Sequence, residues 1–334
     1  MPRNKRIDIP GAIHHVIVRG LERRRIFIED KDRANFIERL KTSLLNTACQ
    51  CYAWALIPNH VHLLIKTGKR SLSDMMRSLL TGYAIYFNHR HHRHGYLYQN
   101  RYKSILCQED AYLLKLVSYI HLNPLRARIV RNLEELNNYP WSGHAALIGK
   151  KYNDWQAIDE VLSQFGNHVK EAKHYYKNFV KENAGKILNL DLSGGGLKRS
   201  VGGWKKVETF NKNKIFWRGD ERILGDGEFV NRVLREAEEE IENKEKLKQA
   251  GWDVERLSQY TCNLLSVQQR DLCRKGRGNA CSLSKGLLCY WGYAKLGING
   301  AELARYLKIS RPAVSKNIVL GERYANERGL KLIS

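Results

Sequence analysis

Two strand-like runs, residues 51–57 and 60–66, stand on either side of a single turn signal, Pro58-Asn59. So short a connection predicts neighbouring strands, and it fixes the rest of the reading. Residues 12–19 form a β-rich run that ends at Gly20, and residues 30–47 have helical spacing with Phe36, Ile37, Leu40 and Leu44 on one stripe. Residues 71–89 read as a second helix with Ser71 at its N-cap, residues 102–107 as a fourth short strand, and residues 109–122 as a helix that stops at Asn123-Pro124. The order β-α-β-β-α-β-α predicts an α+β fold, an antiparallel sheet with helices close to the ferredoxin-like arrangement.

The remainder of the chain reads differently. Residues 151–185 are polar and helical. Residues 191–219 hold Gly194-Gly195-Gly196 and Gly202-Gly203 among lysines, as a linker does. From Gly227 onward the pattern is all helix. The expected division is an α+β domain at 1–150, a helical and Gly-rich connector at 151–225, and an all-α C-terminal region at 226–334.

Charge points to a polyanion. The net charge is +23. Residues 1–150 hold 24 Lys and Arg against 11 Asp and Glu, which leaves +13 there and +10 in the remainder. The excess is spread along the chain and is not confined to a tail, and nucleic acid is the commonest partner for such a charge. The longest apolar runs, such as residues 61–65, are too short to span a bilayer, and no apolar segment follows the basic start, so neither a membrane anchor nor a signal peptide is expected. Seven scattered cysteines without a Cys-x-x-Cys pair suggest reduced thiols and a cytoplasmic, nucleoid-associated protein.

Ten of the twelve histidines lie in residues 1–150. The notable pair is His60 and His62. On a strand, alternate residues share a face, so both imidazoles point one way while Val61, Leu63 and Ile65 point into the core. Neutral imidazoles so placed are ready metal ligands. Taken alone, such a pair is more often two polar residues on an exposed face. Tyr119 and Asn123 stand four apart on the next helix and share a face, whereas His121 lies about 200° round from Tyr119. An Asn oxygen can complete the coordination of a hard cation, and a tyrosine hydroxyl beside it can attack phosphorus.

The run from Pro58 to Ile65, followed by Tyr119 to Ala127 and preceded by Gly11-Ala12-Ile13-His14-His15-Val16 with Arg19-Gly20, resembles the single-tyrosine HUH transposases, and among them the REP-associated tyrosine transposases. The resemblance spans residues 8–145. It implies Tyr119 as nucleophile and His60, His62 and Asn123 as ligands of Mg²⁺ or Mn²⁺. It also implies a substrate of single-stranded DNA near hairpins or inverted repeats, and a 5′-phosphotyrosine intermediate. It leaves open whether the protein is a monomer or a homodimer. Arg19, Arg23, Arg24, Arg25, Arg101, Lys103 and Arg126 are expected to position DNA. Tyr96, Tyr98 and Tyr102 are either base-stacking platforms or ordinary rim aromatics.

Residues 300–320 are similar to a helix-turn-helix, with Leu303, Leu307 and Val314 at packing positions and Ser310 and Pro312 opening the second helix. That helix would offer Arg311, Ser315 and Lys316 to the major groove of duplex DNA. Lys308 stands where glycine is common, and Asn317 where an apolar residue is. The segment is similar to the DNA-binding end of bacterial replication initiators. Two rivals stand beside the transposase reading. One is a non-catalytic DNA-binding regulator on the same fold, and the other is a hydrolytic metallonuclease that forms no covalent adduct.

Overall fold

The structure is a computed structural model that describes residues 7–68, 70–186, 222–272 and 280–332. It divides into two compact units, residues 1–233 and 234–334. In the first, the elements follow the expected order: β1 (Ile13–Arg19), α1 (Asp30–Thr47), β2 (Gln50–Ile57), β3 (His60–Lys66), α2 (Leu72–Arg90), β4 (Lys103–Cys107) and α3 (Glu109–His121). The sheet order is β2-β3-β1-β4, with every one of these pairs antiparallel. The caps form for the reasons given by the sequence: Ser71 accepts from the Asp74 amide at 3.1 Å and opens α2.

Both faces of the sheet are covered. Val16, Val18, Val61, Leu63 and Ile65 face Phe36, Leu40 and Leu44 of α1 and Met76, Tyr83 and Phe87 of α2. On the other face Ile13, Ala55, Leu64 and Ile105 meet Leu116, Val117 and Ile120 of α3. Leu116 and Ile120 are fully buried, and each contributes about 1.5–3 kcal/mol by leaving water. They fix the rotation of α3, and with it the side of that helix that Tyr119 occupies.

Two features go beyond the sequence reading. After α4 (Asn123–Arg126), α5 (Leu133–Asn138) and α6 (His144–Leu147), the chain forms α7 (Ile158–Leu162) and α8 (Val169–Lys186). Val161, Leu162, Ala172, Tyr176 and Val180 from these join the core beneath α3, so residues 158–180 contribute core side chains to the first unit. Second, β5 (Ile223–Leu224) adds a fifth strand, parallel to β4. Its pairing is carried by the backbone, Leu106 N–H to Arg222 O at 2.7 Å and Gln108 N–H to Leu224 O at 2.8 Å. Two residues held this way leave no periodic signal. The glycine-rich stretch at 191–219 lies outside the described residues.

The helix Gly227–Gln249 crosses the division between the units. The second unit continues with Val254–Leu264, Ala280–Ala294, Gly300–Tyr306 and Arg311–Glu327. Gly286 and Gly321 let two of these helices cross at backbone contact, where a methyl group on Gly321 would overlap the Gly286 carbonyl. The pair Gly300–Tyr306 and Arg311–Glu327 is joined by a four-residue turn. Lys308 takes a positive φ of 53° in that turn, and Ser310 accepts from the Ala313 amide at 3.3 Å. Leu303, Leu307 and Val314 are buried, as their spacing requires. Among the described residues no helix is long and apolar enough to cross a membrane.

Candidate active site

The site grows from the register of two strands. β1 lies beside β3 with Arg19 opposite His60 and Ile17 opposite His62. Alternation then puts His15, Ile17 and Arg19 on the face that carries His60 and His62. The His60 and His62 ring centroids are 5.0 Å apart. His15 stacks on His62 at 5.3 Å with the planes 23° apart, and its Nε2 lies 3.0 Å from His62 Nδ1. Tyr119 presents its ring edge-on at 5.9 Å from His15 and 6.2 Å from His62. The Arg126 guanidinium carbon lies 4.5 Å from the Tyr119 ring centroid, a cation–π contact worth about 0.5–1 kcal/mol at an exposed position.

Asn123 owes its place to the proline that follows it. Pro124 has no N–H to continue the ladder of α3. The Asn123 amide nitrogen donates in its stead, to Tyr119 O at 3.0 Å and Ile120 O at 3.3 Å. The side chain is thereby tied to the backbone of Tyr119 itself, with its Oδ1 as the remaining ligand-capable atom. His121 points the other way into the core, where its Nδ1 meets the Tyr176 hydroxyl at 2.8 Å.

Electrostatics keep the imidazoles neutral. Burial, aided by the Arg19 charge, pushes His60 down to about 4. Burial first, then neighbouring His15 and His60 and the Arg126 and Arg19 charges, holds His62 well below the usual range. Neutral imidazole is the form that ligates metal. His60 Nδ1 lies 2.6 Å from Asn59 Oδ1, and His62 Nδ1 lies 3.0 Å from His15 Nε2. Among the described residues no three His, Cys, Asp or Glu side chains converge to hold a metal ion. Any cation at His60 and His62 would therefore need a further ligand of another type.

The expected DNA-positioning residues divide by place. Arg19 and Arg126 flank the site. Arg23, Arg24 and Arg25 are exposed, in a loop tied to the β2–β3 turn by Asn59 Nδ2 donating to Arg23 O at 3.1 Å, and Arg24 pairs with Glu22 at 2.8 Å. Lys103 lies opposite Ile17 on β4, and Arg101 is exposed just before it. In the second unit Arg311 and Lys316 are exposed and Ser315 is half-buried. Of the three tyrosines, Tyr96 is exposed, whereas Tyr102 is buried with its hydroxyl 3.2 Å from Ser73 Oγ and Tyr98 is half-buried. The sequence reading missed His15. Its alternation with Arg19 was legible, but the pairing of β1 with β3 was not.

Buried neutral histidines have a consequence for stability. Burial holds His14 and His144 near 4 and His121 well below the usual value. In an unfolded chain each titrates near ~6.5. As pH falls from there toward 4, the unfolded state takes up protons that the folded state refuses, so stability is lost with acid and is complete above about 6.5. The slope is about 1.4 kcal/mol per pH unit for each such group. Every histidine precedes residue 175, so the loss is expected in the first unit. Amide hydrogen exchange should show protection of β1 and β3 falling between pH ~6.5 and ~4.5. Unchanged protection there would contradict neutral burial.

Comparison with known proteins adds a likeness over part of the chain. Residues 9–123, about a third of the chain, match the model of the IS200-like transposases. A solved structure of a REP-associated tyrosine transposase bound to a REP hairpin is similar over 47% of this chain and 94% of that one, with 16% identity and a TM-score of 0.38. No curated protein matches the chain.

Proposed function

Starting from an N-terminal segment that matches the IS200-like transposases, we propose that this protein cleaves and rejoins single-stranded DNA through Tyr119, with a divalent metal ion held by His60, His62 and Asn123. The observation that carries the reading is the placement of Tyr119 edge-on to His62, whose neighbour on the strand face is His60, with Asn123 bonded to the Tyr119 backbone. Mg²⁺ or Mn²⁺ bound there would stabilise negative charge developing on the phosphodiester.

This chain's residues perform the rest. Tyr119 Oη forms a bond to phosphorus, the bond to the 3′-oxygen of the preceding nucleotide breaks, and the phenolic proton passes to solvent. The 3′-oxygen departs and is protonated, leaving a 5′-phosphotyrosine. The reverse attack by a 3′-hydroxyl rejoins a strand without a nucleotide cofactor, because the phosphotyrosine conserves the bond. Arg126 and Arg19, beside the nucleophile and His60, supply positive charge for the phosphate, while Arg23, Arg24, Arg25, Arg101 and Lys103 extend a path for the backbone. Exposed Tyr96 provides a face on which an unpaired base stacks. The relative that binds a REP hairpin supports a substrate with hairpin structure.

In the second unit, Arg311, Ser315 and Lys316 at the start of a capped helix suit the major groove of duplex DNA. This gives the protein a second, non-catalytic hold on DNA. The test of the whole reading is incubation with a single-stranded oligonucleotide bearing an imperfect hairpin, in the presence of Mg²⁺. Site-specific shortening of the strand is expected. Binding without cleavage would instead identify a regulator that kept the fold and lost the chemistry.

A further inference from the structure

A bond between two histidines, His15 Nε2 and His62 Nδ1 at 3.0 Å, is buried in the site and has one proton to share. Both rings are almost wholly buried, at 1% and 5% exposure, so no water competes for it. Each neutral imidazole carries one N–H. If the shared proton sits on His62 Nδ1, then His62 Nε2 keeps a lone pair. If it sits on His15 Nε2, His62 must carry its own proton on Nε2 and cannot ligate. His60 is biased by a different partner: its Nδ1 faces the Asn59 side-chain oxygen, which only accepts, so His60 Nε2 keeps its lone pair.

We propose that His15 is a positioning residue that accepts the His62 Nδ1 proton, holding His62 in the tautomer and orientation that match His60. The inference rests on the reading of His60 and His62 as metal ligands. Metal-binding histidines generally donate their second ring nitrogen to an acceptor that fixes the ring. The acceptor here is a third histidine from the neighbouring strand. The stacking of His15 on His62 and the edge of Tyr119 against His15 hold that acceptor still. One side chain thus touches both the ligand and the nucleophile ring.

The experiment is Mn²⁺ titration of the full chain without DNA, by calorimetry and by the electron paramagnetic resonance of free Mn²⁺. It is joined to nitrogen-15 NMR of the histidine rings in the metal-free protein. His15→Phe keeps the ring and removes the acceptor; it should weaken Mn²⁺ binding roughly 10- to 100-fold. His15→Gln places an amide oxygen close to the former Nε2 and should restore binding. In the wild type the His62 ring should be protonated at Nδ1. Wild-type affinity in a folded His15→Phe protein, with binding lost in His62→Ala, overturns the role of His15 alone. Wild-type affinity in His62→Ala overturns the ligand reading and this inference with it. Should the Phe variant not fold, a His62 ring protonated at Nε2 in the wild type overturns the inference.

Discussion

Tyr119→Phe is expected to lower cleavage on the order of 10⁴-fold or more, the scale on which removal of a nucleophile acts, while DNA binding stays within a few-fold. The hydroxyl is the only group removed. The ring keeps its edge contacts with His15 and His62 and its place beside Arg126, so the surface proposed to meet DNA is preserved. Single-turnover cleavage of a hairpin-bearing strand, with binding measured in parallel, separates the two effects. Cleavage that survives the substitution would place the nucleophile elsewhere. Tyr112, two helical turns earlier on α3, is the next candidate, although burial raises its hydroxyl's pKa and makes it a poorer phenolate.

Chelation is expected to be nearly as severe. A bound cation contributes several kcal/mol to the charge developing on phosphate, so EDTA should slow cleavage on the order of 10³-fold, and added Mg²⁺ or Mn²⁺ should restore it. His60→Ala and His62→Ala should each reproduce the EDTA effect in the presence of metal. The two need not behave alike toward folding. His62 lies at 5% exposure with its Nδ1 against His15, so its loss opens a buried gap, whereas half-buried His60 stands at the first position of β3. A double variant that cleaves at the wild-type rate would make the histidines structural.

Much of this site is written in short-range pattern. His60 and His62 share a face because a strand alternates, and Tyr119 and Asn123 share one because a helix turns every 3.6 residues. Asn123 was legible as the place where Pro124 stops the helix, but not as the side chain that donates to the Tyr119 and Ile120 carbonyls. His15 was not, because its role depends on which strand lies beside β3, a long-range fact that no local spacing records. β5 escaped for a related reason: residues 223–224 pair through backbone groups that every sequence has. The helices at 158–186 looked polar, but Val161, Leu162, Tyr176 and Val180 make a sparse stripe that completes the core under α3. The tyrosines that alternate with basic residues were ambiguous, and burial sorts them, with Tyr96 left for solvent and Tyr102 drawn inside.

The central claim is a covalent step with a defined polarity. Physical chemistry alone allows the metal to favour loss of either ribose oxygen, whereas the proposed chemistry releases the 3′-oxygen and leaves the 5′-phosphate on Tyr119. The direct measurement is a denaturing gel of reactions with hairpin-bearing single strands labelled at one end or the other. A label on the 3′ side of the cut should migrate with the protein, and a 5′ label should run as a free, shortened strand. The reverse pattern would contradict the assigned leaving group, and cleavage without any protein-linked label would contradict the tyrosine mechanism itself.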